Sequence, residues 1–217
     1  MTPPIPNWIR SYRCNKIRYT NIYELLPKEK RLYGTESLYG DWDGELLLLA
    51  QDFSPKKLLE DRLAKGDSNP YRHKRFMRTN CKIMEYTREF QHGILYGSAL
   101  AGMLRNEETG GLPSYQHMMD DGHLQSILRF TIENMKKLRA IACLGEVAWE
   151  VTADTLGLQS LNRTAIMDHR EPVVAGEYMV FALAHPARDQ SARGSQEVAK
   201  QDWDSMIGFL HTKAKAA

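Results

Sequence analysis

The chain has few cysteines, and their arrangement excludes the common cysteine-based scaffolds. Only three occur in 217 residues, at Cys14, Cys81 and Cys143, and no two of them are closely spaced. An odd number of scattered cysteines matches neither a disulfide framework nor a zinc or iron–sulfur motif. We therefore expect reduced thiols, as in proteins of a reducing compartment.

Long apolar runs are missing as well. No stretch approaches the roughly 20 apolar residues that a membrane-spanning helix needs, and no cationic start followed by an apolar segment stands at the N-terminus. Internal repeats and linkers rich in glycine, serine or proline are also absent. These observations predict a soluble, cytoplasmic protein with a single domain over residues 1–217. We expect a monomer without a membrane partner.

The net charge does not indicate a class of partner, and the known glycine-rich phosphate-binding motifs are absent from the sequence. The 29 lysines and arginines against 27 aspartates and glutamates give a formal net charge of +2, which neither demands nor excludes a nucleic-acid partner. The glycine-rich signatures of dinucleotide-binding proteins and P-loop enzymes do not occur. His117 and His123 surround Asp120 and Asp121, but this spacing is too loose for a zinc site. We expect no metal and no cofactor.

Two apolar segments that end in ionisable residues are the most informative feature that the sequence does contain. Four consecutive leucines in 45–51 are typical of a central strand covered on both faces, and Asp52 follows them. A second apolar run, 177–184, ends at His185. Ligands bind at the carboxyl ends of strands in open parallel sheets, so Asp52 and His185 would open into one crevice if both strands are parallel and central. Each residue alone also fits a turn or a structural hydrogen bond.

The remaining pattern alternates strands with helices. Further strands are predicted at 93–100 and 139–145, and helices at 56–64, at 79–90, between Leu124 and Leu138, and after Gly145. This alternation predicts an α/β fold, a three-layer α/β/α sandwich around a mostly parallel sheet of about four strands. Residues 1–40 are predicted to form a helical N-terminal extension, 45–194 the motif-bearing core, and 195–217 a C-terminal helix.

Basic and aromatic side chains are interleaved in residues 71–78. Such a mixture is typical of surfaces that contact phosphates while a ring stacks on a base. Short charge runs are also typical of solvated helix faces, so both interpretations stay open.

Three segments at predicted strand ends form an ordered set of motifs. They read Ala-Gln-Asp-Phe-Ser-Pro at 50–55, Cys-Leu-Gly-Glu-Val-Ala-Trp at 143–149, and His-Pro-Ala-Arg at 185–188 with Arg-Gly at 193–194. In order and spacing they resemble the motifs of the uracil-DNA glycosylase superfamily. Those motifs read Gly-Gln-Asp-Pro-Tyr-His, Leu-Trp-Gly-Lys-x-Ala, and His-Pro-Ser-Pro-Leu-Ser followed by Arg-Gly. The resemblance covers residues 45–194.

This resemblance implies a uracil-DNA glycosylase-like fold and a DNA glycosylase that hydrolyses the N-glycosidic bond of uracil or a related damaged base in DNA. By that likeness, Asp52 would position the attacking water and His185 would stabilise the departing base. Base contacts are assigned to Gln51, Phe53, Phe76 and Ser98. Contacts with DNA are assigned to Ser54, Arg72, Lys74, Arg75, Arg188, Gln190, Ser191 and Arg193.

The chain departs from the family's pattern where the base is read. Ser54 replaces the tyrosine that is said to exclude the methyl group of thymine, and Gly97 or Ser98 stands at the place of a base-reading asparagine. The wedge leucine aligns with Asp189, which leaves Arg188 or Gln190 to occupy that space. These changes retain the hydrolytic pair and predict an altered base preference.

Two other functions remain open at the level of the sequence. The first is a non-catalytic nucleic-acid-binding domain on the same scaffold. The second is a small-molecule nucleoside or nucleotide hydrolase, because a fold does not determine a function.

Overall fold

A computed structural model describes residues 2–13, 19–32, 38–51, 55–67, 74–106, 115–186 and 192–214, without the side chains of 74–78 and 213–214. The helices are α1 (Asn7–Arg10), α2 (Ile22–Leu25), α3 (Lys56–Ala64), α4 (Lys74–Tyr86), α5 (Gln116–Asp120), α6 (His123–Asn134), α7 (Glu146–Leu156), α8 (Arg163–His169) and α9 (Gln196–Ala214). The strands are β1 (Tyr19–Asn21), β2 (Leu46–Ala50), β3 (Ile94–Ser98), β4 (Met103–Arg105), β5 (Ala140–Leu144), β6 (Val173–Ala175) and β7 (Tyr178–Leu183).

The main sheet has five strands in the order β3-β2-β5-β7-β6. The first four of these run parallel to one another, and β6 is an antiparallel edge strand beside β7. The predictions of a mostly parallel sheet and of its four parallel strands are confirmed. β5 lies between β2 and β7, and this strand order could not be predicted from the sequence.

Helices cover both faces of this sheet. Alternate residues of β2 point to opposite faces, so Leu47 and Leu49 belong to one buried cluster and Leu46 and Leu48 to the other. The first cluster is completed mainly by α6 and α7, and the second by α4 and α9. All five residues of β2 are buried, which is why this strand reads as an unbroken apolar run.

The N-terminal segment differs from the helical extension predicted for 1–40. It contains two helices of one turn each, and β1 pairs antiparallel with β4 in a separate two-stranded sheet. Asn21 explains this arrangement, because its side-chain amide donates to the carbonyl oxygens of Ile9 and Tyr12 while its Oδ1 accepts from the N–H of Tyr23. One polar side chain therefore closes α1 and caps α2.

The helix predicted at 79–90 begins and ends earlier than expected. It is α4, which ends at Tyr86, and the Thr87 hydroxyl donates to the carbonyl oxygen of Ile83 at 2.7 Å. Phe90 then closes a turn by donating its N–H to the Thr87 carbonyl oxygen. By contrast, α3 has the bounds that were predicted.

Within the described ranges, no helix combines the length and the apolar character that crossing a bilayer requires.

Candidate active site at the carboxyl edge of the sheet

The carboxyl ends of β2, β5 and β7 meet at one edge of the sheet. In register, Ser98 of β3 lies beside Ala50 of β2, and Leu144 of β5 lies beside Leu183 of β7. Because Leu49 pairs with Cys143, these four residues form a single row across the sheet. With neighbouring strands about 4.8 Å apart, β2 and β7 are separated by about 10 Å.

Asp52 and His185 follow this row by the same number of residues. Asp52 stands two positions after Ala50, and His185 stands two positions after Leu183. The strands that lead to both residues are therefore parallel, close and directed to one edge, which is the arrangement that the sequence argument required. Asp52 itself lies outside the described residues.

Gly145 occupies the end of β5, between these two strands. Its φ of +101° and ψ of −177° place it in a region that is essentially reserved for glycine, and its N–H donates to the Leu183 carbonyl oxygen at 3.0 Å. A Cβ added at Gly145 would lie 3.7 Å from the Cβ of His185. The end of β5 is thus in direct proximity to the half-buried His185, and its backbone turns sharply into α7.

Ser98 lies at the end of β3 with a buried hydroxyl. Its exposed fraction is 4%, and its Oγ has no hydrogen-bond partner among the residues that the structure describes. Leaving a buried polar group unpaired costs about 1–3 kcal/mol. Since Ser98 shares a row with Ala50, this hydroxyl lies beside the strand that leads to Asp52.

The segment after β7 is held from the side of α4. Lys82 of α4 donates from its Nζ to the carbonyl oxygen of Pro186 at 3.0 Å. Lys82 could not be identified from the sequence, because it is 104 positions from Pro186 and nothing in the local pattern joins the two residues. Its place eight residues after Lys74 and four after Arg78, in a basic helix, was the only available signal.

Several predicted site residues are not placed by the structure. Those outside the described residues are Asp52, Phe53, Ser54, Arg72, Arg188, Gln190 and Ser191. Three more, Lys74, Arg75 and Phe76, lie in the first turns of α4, and their side chains are outside the description. Gln51 is half-buried at the end of β2, where its carbonyl oxygen accepts from the N–H of Leu100.

Arg193, which the sequence assigned to DNA contact, is instead bound to carboxylates. Its Nε donates to Asp202 at 2.7 Å, and Nη1 donates to Asp168. Arg170 donates to the same Asp202, whose side chain is 3% exposed. A guanidinium that pairs with two carboxylates, one of them buried, would have to give up these ion pairs to bind a phosphate. We therefore leave Arg193 out of the DNA surface that is proposed below.

The histidines near Asp120 and Asp121 form no recognisable metal centre. His123 stacks on Tyr12 with ring centroids 3.4 Å apart, while Tyr12 donates its hydroxyl to Asp121. Burial lowers the pKa of His123 to about 4, although Asp121 acts in the opposite direction. Among the residues that the structure describes, no three His, Cys, Asp or Glu side chains are grouped so as to hold a metal ion.

The cysteines that the structure describes are free thiols. Cys81 is exposed on α4 and Cys143 is buried in β5, where burial raises the pKa of its thiol to about 12. Cys143 is therefore a neutral core residue rather than a nucleophile, as its position inside an apolar strand suggested.

Comparison with known proteins assigns no family. The chain matches no protein-family model and no curated protein.

Proposed function

We propose that this protein is a DNA glycosylase that hydrolyses the N-glycosidic bond of uracil or a related damaged base. The observation that carries the proposal is the strand order, in which β2 and β7 flank β5 and run parallel to it. This order directs the segments of Asp52 and His185 to the same edge, in the sequence order of the glycosylase motifs. The uracil-DNA glycosylase-like fold is part of this proposal.

Asp52 serves as the group that positions water in this mechanism. Hydrolysis requires a water held below the sugar carbon and a negative charge to stabilise the oxocarbenium-like sugar. An aspartate with an ordinary pKa near 4 is ionised at neutral pH and supplies both.

His185 serves as the donor to the departing base. Negative charge grows on a carbonyl oxygen of the base as the bond breaks, and a preorganised N–H donor stabilises it. One such donor is typically worth about 10²–10³ in rate. Its place beside Gly145 fits this role, because a glycine leaves room for the base close to the imidazole.

Helix α4 and the loops around the site form the proposed DNA surface. Positions 74 and 78 are spaced four residues apart on α4, so they share one side of the helix, and both carry basic residues. One turn further on, Lys82 instead donates to the Pro186 carbonyl oxygen beside His185. Further phosphate contacts are proposed for Ser54, Arg72, Arg75, Arg188, Gln190 and Ser191.

Ser98 is the proposed polar contact at the floor of the base pocket. Its buried hydroxyl lacks a partner among the described residues and can either donate or accept. A base edge would supply that partner, with Gln51, Phe53 and Phe76 as the other base contacts. Flipping the base out of the duplex costs a few kcal/mol, which the phosphate contacts offset.

The proposal is tested by base release from synthetic oligonucleotides. The wild-type chain is incubated with single-stranded and double-stranded DNA carrying one uracil, and abasic sites are detected by alkaline cleavage. We expect release that excess undamaged DNA inhibits and that Asp52→Asn abolishes or strongly reduces.

The other outcomes separate the remaining functions. DNA binding without any base release would replace the proposal with a non-catalytic binding domain. Hydrolysis of a free nucleoside that excess DNA does not inhibit would replace it with a small-molecule hydrolase.

A further inference from the structure

His185 lies beyond the end of β7, so its backbone is not part of the sheet. β7 ends at Leu183, so His185 and Pro186 stand beyond its ladder of hydrogen bonds. Pro186 has no N–H to donate, so its carbonyl oxygen is the one main-chain group of this residue that can form a hydrogen bond. The direction of the imidazole therefore depends on contacts outside the sheet.

Gly145 and Lys82, from different elements, both lie close to this segment. A Cβ added at Gly145 would lie 3.7 Å from the Cβ of His185. The Lys82 ammonium donates to the Pro186 carbonyl oxygen at 3.0 Å. The contact with Gly145 limits the space around His185 but does not orient it. The hydrogen bond from the Lys82 ammonium is directional and orients the Pro186 carbonyl group.

Lys82 is itself well placed to act as a fixed donor. The next residue, Ile83, is fully buried against the sheet, and Tyr86 one turn later is 6% exposed. Both belong to the cluster that joins α4 to the sheet and to Trp203 of α9. Lys82 is half-buried beside this cluster, so the aliphatic part of its side chain is already restricted. Little conformational entropy is therefore lost when its ammonium group forms a hydrogen bond.

We propose that Lys82 is a positioning residue, which fixes Pro186 and thereby the neighbouring His185, so that the imidazole points at the leaving base. This inference rests on the proposed glycosylase function. A hydrogen bond from a charged donor is stronger than a neutral one and is suited to holding a peptide in one orientation. A small misplacement of a catalytic group is sufficient to slow the chemical step.

The test compares Lys82→Met, Lys82→Arg and the control Lys200→Met. Lys200 lies on α9, in the same helical layer, and its ammonium pairs with Asp204 on the exposed side. On uracil-containing DNA we expect Lys82→Met to lower kcat about tenfold with KM within twofold of wild type. Lys82→Arg, which keeps a cationic donor, should restore most of the rate, and Lys200→Met should match wild type.

Two kinetic results would overturn the proposal. The first is a rate for Lys82→Met equal to that of Lys200→Met. The second is a raised KM with unchanged kcat, which would make Lys82 a phosphate contact. Should Lys82→Met fold poorly, Lys82→Gln is measured in its place, because its polar side chain is one bond shorter and does not reach the carbonyl.

A spectroscopic measurement separates this proposal from the function on which it rests. The ring resonances of His185 are recorded by NMR in the wild type, Lys82→Met and Lys200→Met. We expect a shift or broadening only in Lys82→Met, even if the wild type releases no base and the glycosylase proposal fails. Identical His185 resonances in all three proteins would overturn the positioning role.

Discussion

At the scale of single residues, His123 shows that a buried histidine can be mistaken for a metal ligand when only the sequence is known. A histidine among aspartates resembles a ligand cluster, yet the ring is enclosed by Trp8 and Tyr12. Its contacts are those of a core aromatic side chain, and its neighbour Asp121 is engaged by the Tyr12 hydroxyl.

The lowered pKa of His123 predicts a loss of stability in acid. Burial holds the folded pKa at about 4, whereas an unfolded histidine titrates near 6.5. Between these values the unfolded chain binds a proton that the folded chain does not, so the free energy of unfolding decreases as the pH falls through this window. The expected decrease from this residue is on the order of 2–3 kcal/mol.

This prediction is checked by urea denaturation at pH 7 and pH 4.5, together with an NMR titration of the His123 ring. In His123→Phe, which keeps an aromatic ring without a titrating group, the pH dependence should be smaller. A ring that titrates near 6.5 in the folded protein would contradict it.

At the scale of single elements, the connection from β5 to α7 depends on one glycine. Gly145 combines a φ of +101° with an extended ψ, a conformation that costs a residue with a side chain about 1–3 kcal/mol. A Cβ there would meet only ordinary van der Waals contact with His185, so backbone strain rather than a clash sets the cost.

We therefore expect Gly145→Ala to lower the free energy of unfolding by about 1–3 kcal/mol. Gly208→Ala is the matched control, because Gly208 lies inside α9 and an added Cβ would meet nothing within 4 Å. That substitution should raise stability by about 0.5–1 kcal/mol. Equal effects of the two substitutions in urea denaturation would show that Gly145 is not strained.

The elements also show what the sequence could and could not predict. β2, β3, β5 and β7 were predictable because each is a buried apolar run bounded by polar or turn-forming residues. β1, β4 and β6 have three residues each, which is too short for a periodic pattern to be read. Their pairing is decided by tertiary contacts such as those of Asn21.

The candidate site was predictable only in part for a related reason. The motif residues at 50–55 and 185–188 can be recognised in the sequence, but the order of strands that brings them to one edge cannot. Contacts between distant segments, such as Lys82 with Pro186 and Arg193 with Asp202, leave no trace in local pattern. Arg193 was therefore assigned to DNA from the Arg-Gly motif, without knowledge of its carboxylate partners.

At the scale of the whole molecule, the proposed function predicts relaxed base specificity. Ser54 stands where the family pattern has a methyl-excluding tyrosine, and no asparagine ends β3. Losing one steric wall against a methyl group changes discrimination by about 1–3 kcal/mol, or roughly 10–200-fold. We expect uracil to be released fastest, and mismatched thymine or hypoxanthine at a lower but detectable rate.

Single-turnover rates on matched duplexes with uracil, thymine or hypoxanthine check this prediction. A strict preference for uracil would show that another side chain, such as Phe53 or Phe76, rebuilds the wall.

The central claim is that Asp52 and His185 act together on one base across the edge of the sheet. Its most direct test is the single-turnover rate of uracil release in wild type, Asp52→Asn, His185→Ala and the double variant. We expect losses of about 10²–10⁴ for Asp52→Asn and about 10²–10³ for His185→Ala, with DNA affinity nearly unchanged. Because both residues stabilise one transition state, the double variant should lose less than the product of the single losses. Full activity in either single variant, or losses that multiply as for independent sites, would contradict the claim.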